Sequence, residues 1–139
     1  MKLAHEKSRR TVEPEALLPL TPATFQIMLS LADGERHGYS ILREVERNTD
    51  GKVKLGPTTL YRSIRQMLAA GLIEEAEERP DPTLDDERRR YYRLTGFGRQ
   101  VALAEMRRLE RLVAMARATS LGRQTSDMGL AAPGMGGTE

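Results

Sequence analysis

Residues 56–72 read GPTTLYRSIRQMLAAGL, a helix start followed by two faces of different chemistry. Proline suits a first helical turn, where its missing N–H would be unsatisfied anyway, so Pro57 marks the start. Leu60, Ile64, Met67 and Leu68 then recur at i, i+4, i+7 and i+8, a single apolar stripe of 3.6-residue period. The opposite face carries Thr58, Thr59, Arg62, Arg65 and Gln66. No carboxylate lies between Gly56 and Ile73, so nothing on that face repels phosphate. Hydroxyls and an amide beside guanidinium groups suit base edges and phosphate oxygens. An ordinary solvated helix mixes Glu with Lys, and this one does not.

Downstream, residues 72–78 (LIEEAEE) and 89–94 (RRYYRL) have the composition of short strands, separated by a polar loop with two prolines, Pro80 and Pro82. Helix, strand, polar loop, strand is the order of a winged helix-turn-helix, whose second helix enters the DNA major groove while the hairpin touches the neighbouring backbone. Upstream, Thr21-Pro22 predicts an N-cap and first helical position. That helix is apolar nearly all round through Phe25, Ile27, Met28, Leu29 and Leu31, and ends at Asp33-Gly34. A second helix is expected from Gly38 to Asn48 with Ile41, Leu42 and Val45 inward, and Asp50-Gly51 supplies the following turn. Thr95 is the expected N-cap of a long helix in which Ala102, Met106, Leu109, Val113 and Ala116 alternate by four and three. Leu103, Leu112 and Met115 widen this stripe, and a second subunit is the economical cover for it. Packing back on the parent domain is the alternative.

The expected fold is mainly α with a small β-hairpin, organised as four regions. Residues 1–19 form a flexible basic arm, 20–94 the winged domain, 95–118 the dimerisation helix and 119–139 a disordered tail rich in Gly, Ser and Thr. With 139 residues, 39% hydrophobic and 30% charged, the chain has room for one ordinary core. Its net charge of +2 is uninformative, because distribution matters more than sum. Between Arg36 and Gln66 seven bases face three acids, whereas acids concentrate in residues 74–87.

Zero cysteines excludes disulfides and thiolate metal sites and fits a reducing cytoplasm. No stretch has the pattern of a membrane span or a secretory leader. With only His5 and His37 as histidines, His37 is better read as a capping or packing residue than as a metal ligand. No nucleophile sits with a base at motif spacing and no phosphate-binding glycine loop is present, so neither an enzyme nor a cofactor is expected.

These pieces together resemble the PadR family of bacterial transcription regulators, in its short form with a single C-terminal helix. The resemblance rests on His37-Gly38-Tyr39, Thr59-Leu60-Tyr61, Gly71-Leu72-Ile73 and Tyr92-Arg93-Leu94-Thr95 with Gly98, in register over residues 20–118. It implies a homodimer on double-stranded DNA, most often a repressor released by a small molecule bound near the junction of the long helix and the winged domain. Arg62 stands where many relatives carry proline, and the absence of tryptophan makes relatives that stack flat drugs a poor guide to any effector.

The DNA-contacting set expected from the residues is Tyr39, Lys52, Lys54, Thr58, Thr59, Tyr61, Arg62, Arg65 and Gln66, with Arg88, Arg89 and Arg90 on the wing. The alternative for the wing arginines is pairing with Asp85, Asp86 and Glu87. Tyr61 either packs its ring at the core margin while its hydroxyl reaches a phosphate, or packs in the core alone; of Tyr91 and Tyr92, one should be core and the other more exposed. The expected dimer interface is Ala102, Met106, Leu109, Leu112, Val113 and Ala116. The rival from another class is a winged helix that binds proteins and never DNA.

Overall fold

The computed structural model describes residues 12–77, 79–80 and 88–127, in two compact units divided between Glu105 and Met106. The first unit opens with one 3-10 turn at Pro14–Leu17, then α1 (Pro22–Ser30), β1 (Arg36–His37), α2 (Gly38–Asn48) and α3 (Pro57–Ala69). The wing follows as β2 (Ile73–Glu75), β3 (Arg79–Pro80), β4 (Arg88–Arg89) and β5 (Tyr91–Leu94), before α4 (Gly96–Arg117).

Each helix begins where its chemistry allows. The Thr21 hydroxyl accepts the Thr24 N–H at 3.1 Å and caps α1, a contribution of about 1 kcal/mol. His37 does the same for α2, its Nδ1 accepting the Ser40 N–H at 3.1 Å, as its reading as a capping residue requires. After α2 the chain reverses through Asp50 (φ 54°) and Gly51 (φ 79°), left-handed positions that Asp tolerates and Gly favours. Thr49 pins this turn by accepting from Val53 N–H at 3.0 Å and donating to the Val45 carbonyl at 3.0 Å. Helix α3 ends on Gly71 (φ 78°), with Leu72 N–H bonded to Met67 C=O at 2.9 Å and Gly71 N–H to Leu68 C=O at 3.1 Å. The buried Leu72 and Met67 flank this cap.

The three helices and the sheet enclose one core of Ile27, Met28, Leu31, Ile41, Val45, Leu60, Ile64, Met67, Leu72, Ile73, Tyr92 and Val101. Burying each such aliphatic side chain contributes about 1.5–3 kcal/mol. Thr95 joins the end of α3 to the start of α4: its hydroxyl donates to Gly71 C=O at 2.6 Å and accepts the Gly98 N–H at 2.9 Å. Gly98 is required there, because a Cβ would collide with the Leu72 carbonyl.

Several expectations change. The wing is shorter at its base than residues 72–78 and 89–94 suggest, and is extended by the separate β3–β4 pair. A third strand, β1, makes β5 central in the order β1-β5-β2, all antiparallel. Two residues carry no readable period, so β1 was invisible in the sequence. Its presence also corrects the alternation at Tyr91 and Tyr92, which are both buried. Tyr92 enters the main core, while the Tyr91 ring meets the His37 ring edge-on at 5.3 Å between centroids. Leu29 is exposed rather than wrapped. Leu17 and Leu18, assigned to a flexible arm, pack against the core; the rest of that arm, residues 1–11, lies outside the described residues. Ala102, expected in a dimer seam, is partly buried against the same core.

The second unit holds α4 from Met106 onward and a further helix, α5 (Ser120–Asp127), where a structureless tail is expected. Thr119 supplies its cap, the hydroxyl accepting the Leu121 N–H at 3.1 Å. A Cβ at Gly122 would strike the Arg117 carbonyl, so this glycine permits the close turn between the helices. A cap and one glycine can set an eight-residue helix without the apolar period that sequence reading relies on. Residues 128–139 lie outside the described residues.

Candidate nucleic-acid interface

Helix α3 buries Leu60, Ser63, Ile64 and Met67 and leaves Thr58, Arg62, Arg65 and Gln66 exposed, with Thr59 half-buried. The two faces expected from the sequence are therefore the two faces of the helix, with Leu68 at the half-buried margin. The helix starts on Gly56 without a side-chain cap, so its first N–H groups are not taken up by a neighbouring hydroxyl or carboxylate.

Electrostatics separates the cations of the first unit into two populations. Arg36 reaches Glu44 at 3.3 Å, and Arg47 pairs with the same carboxylate. Arg93 lies between Glu74 at 2.8 Å and Glu35 at 3.0 Å, and these hydrogen bonds, Glu74 first, raise its pKa further above the ordinary guanidinium value. Lys54 and Glu46 approach to 3.8 Å, and Arg90 and Glu75 to 3.7 Å. Among the described residues, Arg43, Lys52, Arg62, Arg65 and Arg99 have no carboxylate partner, and Arg99 instead donates to the Ala32 carbonyl at 3.2 Å. Both arginines of α3 thus belong to the unpaired set.

Around α3 the remaining expected residues fall into three groups. Lys52 and Lys54 are exposed on the segment entering the helix. Tyr39 is half exposed at the head of α2, with the Arg43 guanidinium 5.7 Å from its ring centroid, a cation–π geometry. Sequence reading passed over Arg43, although its position one turn after Tyr39 was a usable signal. Arg90 is exposed beside β5 and approaches Glu75 across the sheet; Asp85, Asp86 and Glu87, the partners that the alternative reading gives the wing arginines, lie outside the described residues. Arg88 and Arg89 are in β4, but their side chains lie outside the described residues.

Tyr61 sits between the two faces of α3. Its ring is partly exposed and its hydroxyl closes over Gly38, where a Cβ would collide with it. Beside it opens a notch of about 430 Å³ whose polar rim includes Tyr39, Tyr61, Arg65, Glu75, Arg90 and Tyr92. Burial first, and the Glu75 carboxylate second, raise the pKa of the Tyr92 hydroxyl above its ordinary value.

Among the described residues no group of three or more His, Asp or Glu side chains is placed to hold a metal ion, and no helix is long and apolar enough to cross a membrane. In the second unit the exposed apolar side chains are Met106, Leu109, Leu112, Val113, Met115 and Leu121, with Ala116 exposed among them.

Known proteins agree with this architecture. A transcriptional regulator from Clostridium thermocellum is similar at 25% identity and TM-score 0.56, over 67% of this chain and 84% of its own. A PadR family transcription regulator from Clostridium difficile is similar at 19% identity and TM-score 0.59, over 69% of this chain and 95% of its own. RosR of H. salinarum is similar at 23% identity and TM-score 0.52, over 81% and 91%. The latter two bear on the fold alone. Comparison with curated proteins gives no match. The pattern of the PadR-like family of transcriptional regulators matches residues 27–104, more than half the chain, from within α1 to within α4. The chain belongs to the PadR-like family of transcriptional regulators.

Proposed function

We propose that the chain is a homodimeric repressor that inserts α3 into the major groove of an inverted-repeat operator. The observation that carries DNA recognition is the pair Arg62 and Arg65, exposed and, among the described residues, without carboxylate partners on a helix face that has no acid. Arg62 projects from the centre of that face and suits a guanine edge, Thr58 and Thr59 a phosphate or a thymine methyl. Lys52, Lys54, Tyr39 and the arginines at 88–90 would contact the backbone, setting affinity and register rather than sequence.

The exposed stripe of Met106, Leu109, Leu112, Val113 and Ala116 supports the homodimer, since water-facing apolar side chains at a/d spacing gain most by pairing with a copy of themselves. A two-fold would place half-site centres about 10 bp apart or a multiple of that. Repression, and release by a small molecule, rest on the family resemblance.

The test is fluorescence anisotropy with DNA from immediately upstream of the chain's own gene, against a scrambled duplex over a salt series. Tight binding to the native fragment alone, weakening as salt rises, is the expected result. Absence of binding even at low salt replaces DNA with a protein partner. For the dimer, sedimentation of Leu109→Glu should give monomers, and a persistent dimer moves the interface off α4.

A further inference from the structure

The notch beside α3 has the chemistry of an oxyanion site. Among the described residues, two guanidinium groups, Arg65 and Arg90, and one carboxylate, Glu75, line a space of about 430 Å³. That volume is within the range of small-ligand sites, about 300–1,000 Å³. Ile64 and Leu68 line its inner side, while Tyr39, Tyr61 and Tyr92 add hydroxyls that donate as readily as they accept. Arg65 has no carboxylate partner among the described residues. Arg90 approaches Glu75 at 3.7 Å, in a pair whose side chains are both about half exposed, and also interacts with the Tyr92 hydroxyl. Such pairs contribute about 0–1 kcal/mol, so an anion with better geometry displaces Glu75 at little cost. Planar guanidinium groups are suited to bidentate contact with phosphate.

Position gives the notch its meaning. Tyr61, Arg65 and Leu68 are one flank of α3, at i, i+4 and i+7, and Arg65 borders both this flank and the exposed face with Arg62. The hydroxyl of Tyr61 rests on Gly38, so the flank of α3 touches the head of α2 beside the notch.

We propose that the notch binds a phosphate-type oxyanion through Arg65, Arg90 and the tyrosine hydroxyls, with Glu75 as a removable internal competitor. The oxyanion comes either from the backbone of the bound duplex or from a free phosphorylated small molecule that fills the notch whether or not DNA is bound. In both cases Glu75 sets how readily the site fills.

The experiment is a titration of the full chain with inorganic phosphate, read by the arginine Nε–H signals in two-dimensional NMR, against chloride at matched ionic strength. Saturable, phosphate-specific shifts at Arg65 and Arg90 are expected. Glu75→Gln should tighten phosphate binding roughly two- to fivefold, the scale of one exposed charge pair. Arg90→Gln should weaken it about tenfold, the scale of a charged hydrogen bond. Equal shifts with chloride, or a Glu75→Gln chain that binds phosphate no better, overturn the proposal. Repeating the titration with saturating duplex identifies the source: loss of the phosphate response assigns the site to the DNA backbone, and a surviving response assigns it to a free ligand. Because the first titration contains no DNA, it reads the notch even where the operator experiment fails.

Discussion

Helix α3 and the sheet around β5 both present arginines, and they use them in opposite ways. On the sheet, antiparallel register sets Arg93 directly across from Glu74, and Glu35 closes on it from the segment before β1. On α3, neither Arg62 nor Arg65 has a carboxylate partner among the described residues, because the acids within reach in sequence stop at Asp50 and resume at Glu74. The same side chain therefore braces the fold in one place and is left for a partner in the other. Arginine content alone does not distinguish the two, whereas the placement of the acids does.

The contrast is broken most severely from beneath α3. Leu60 is fully buried on the face opposite Arg62. Leu60→Ala should lower unfolding stability by about 2–5 kcal/mol in a urea melt, and take DNA binding with it as the helix loses its seat. Next in size is the exposed face itself. Arg62→Ala and Arg65→Ala should each weaken operator binding by about 1–3 kcal/mol if they contact base edges, or lower the salt slope by about one if they contact phosphate. Their urea midpoints should match the parent chain. A double variant that binds as before removes α3 from the interface.

Much of this was legible before any coordinates. The caps at Thr21 and Thr95, the start of α3 at Pro57 and its stop at Gly71 are local chemistry, and each stands where the residues indicate. The two faces of α3 follow from period alone. What escaped depends on contacts distant in sequence. Strand β1 exists because Arg36 and His37 lie beside Tyr92 and Tyr91, some 55 residues away along the chain. That pairing leaves both Tyr91 and Tyr92 buried, where alternation expects one of the two at the surface. At the interface, Arg62 and Arg65 and their acid-free face were visible as a pattern, but the approach of Arg90 to Glu75 was not, since it depends on how β2 folds beside β5. The notch joins residues from 37 to 92 and has no signature in any one segment.

On the sheet side the effects are smaller. Arg93→Ala removes two exposed ion pairs and should cost about 0–1 kcal/mol of stability, with operator affinity unchanged. A larger loss of DNA affinity than of stability would make Arg93 a partner-facing residue after all, and the contrast with α3 would fail.

The smallest effect appears only at high pH, and it tests whether β5 holds its charges by burial. Tyr92 keeps its proton more firmly in the folded chain, first because burial disfavours the phenolate and then because Glu75 repels it, with Arg90 opposing both. An unfolded tyrosine titrates near pH 10. Above about that value the unfolded chain releases a proton that the folded chain retains, so stability declines as pH rises until Tyr92 ionises in place. Below it, the contribution is fully present. Tyr92→Phe abolishes this slope while keeping the ring in the core, and forfeits the hydrogen bond from Arg90 at neutral pH. Urea midpoints of the two chains should therefore start with the parent slightly ahead and converge between about pH 9 and 11. Parallel decline would mean that the phenol of Tyr92 is no more shielded than an exposed one, and that the sheet beside the notch is open to water where the geometry has it closed.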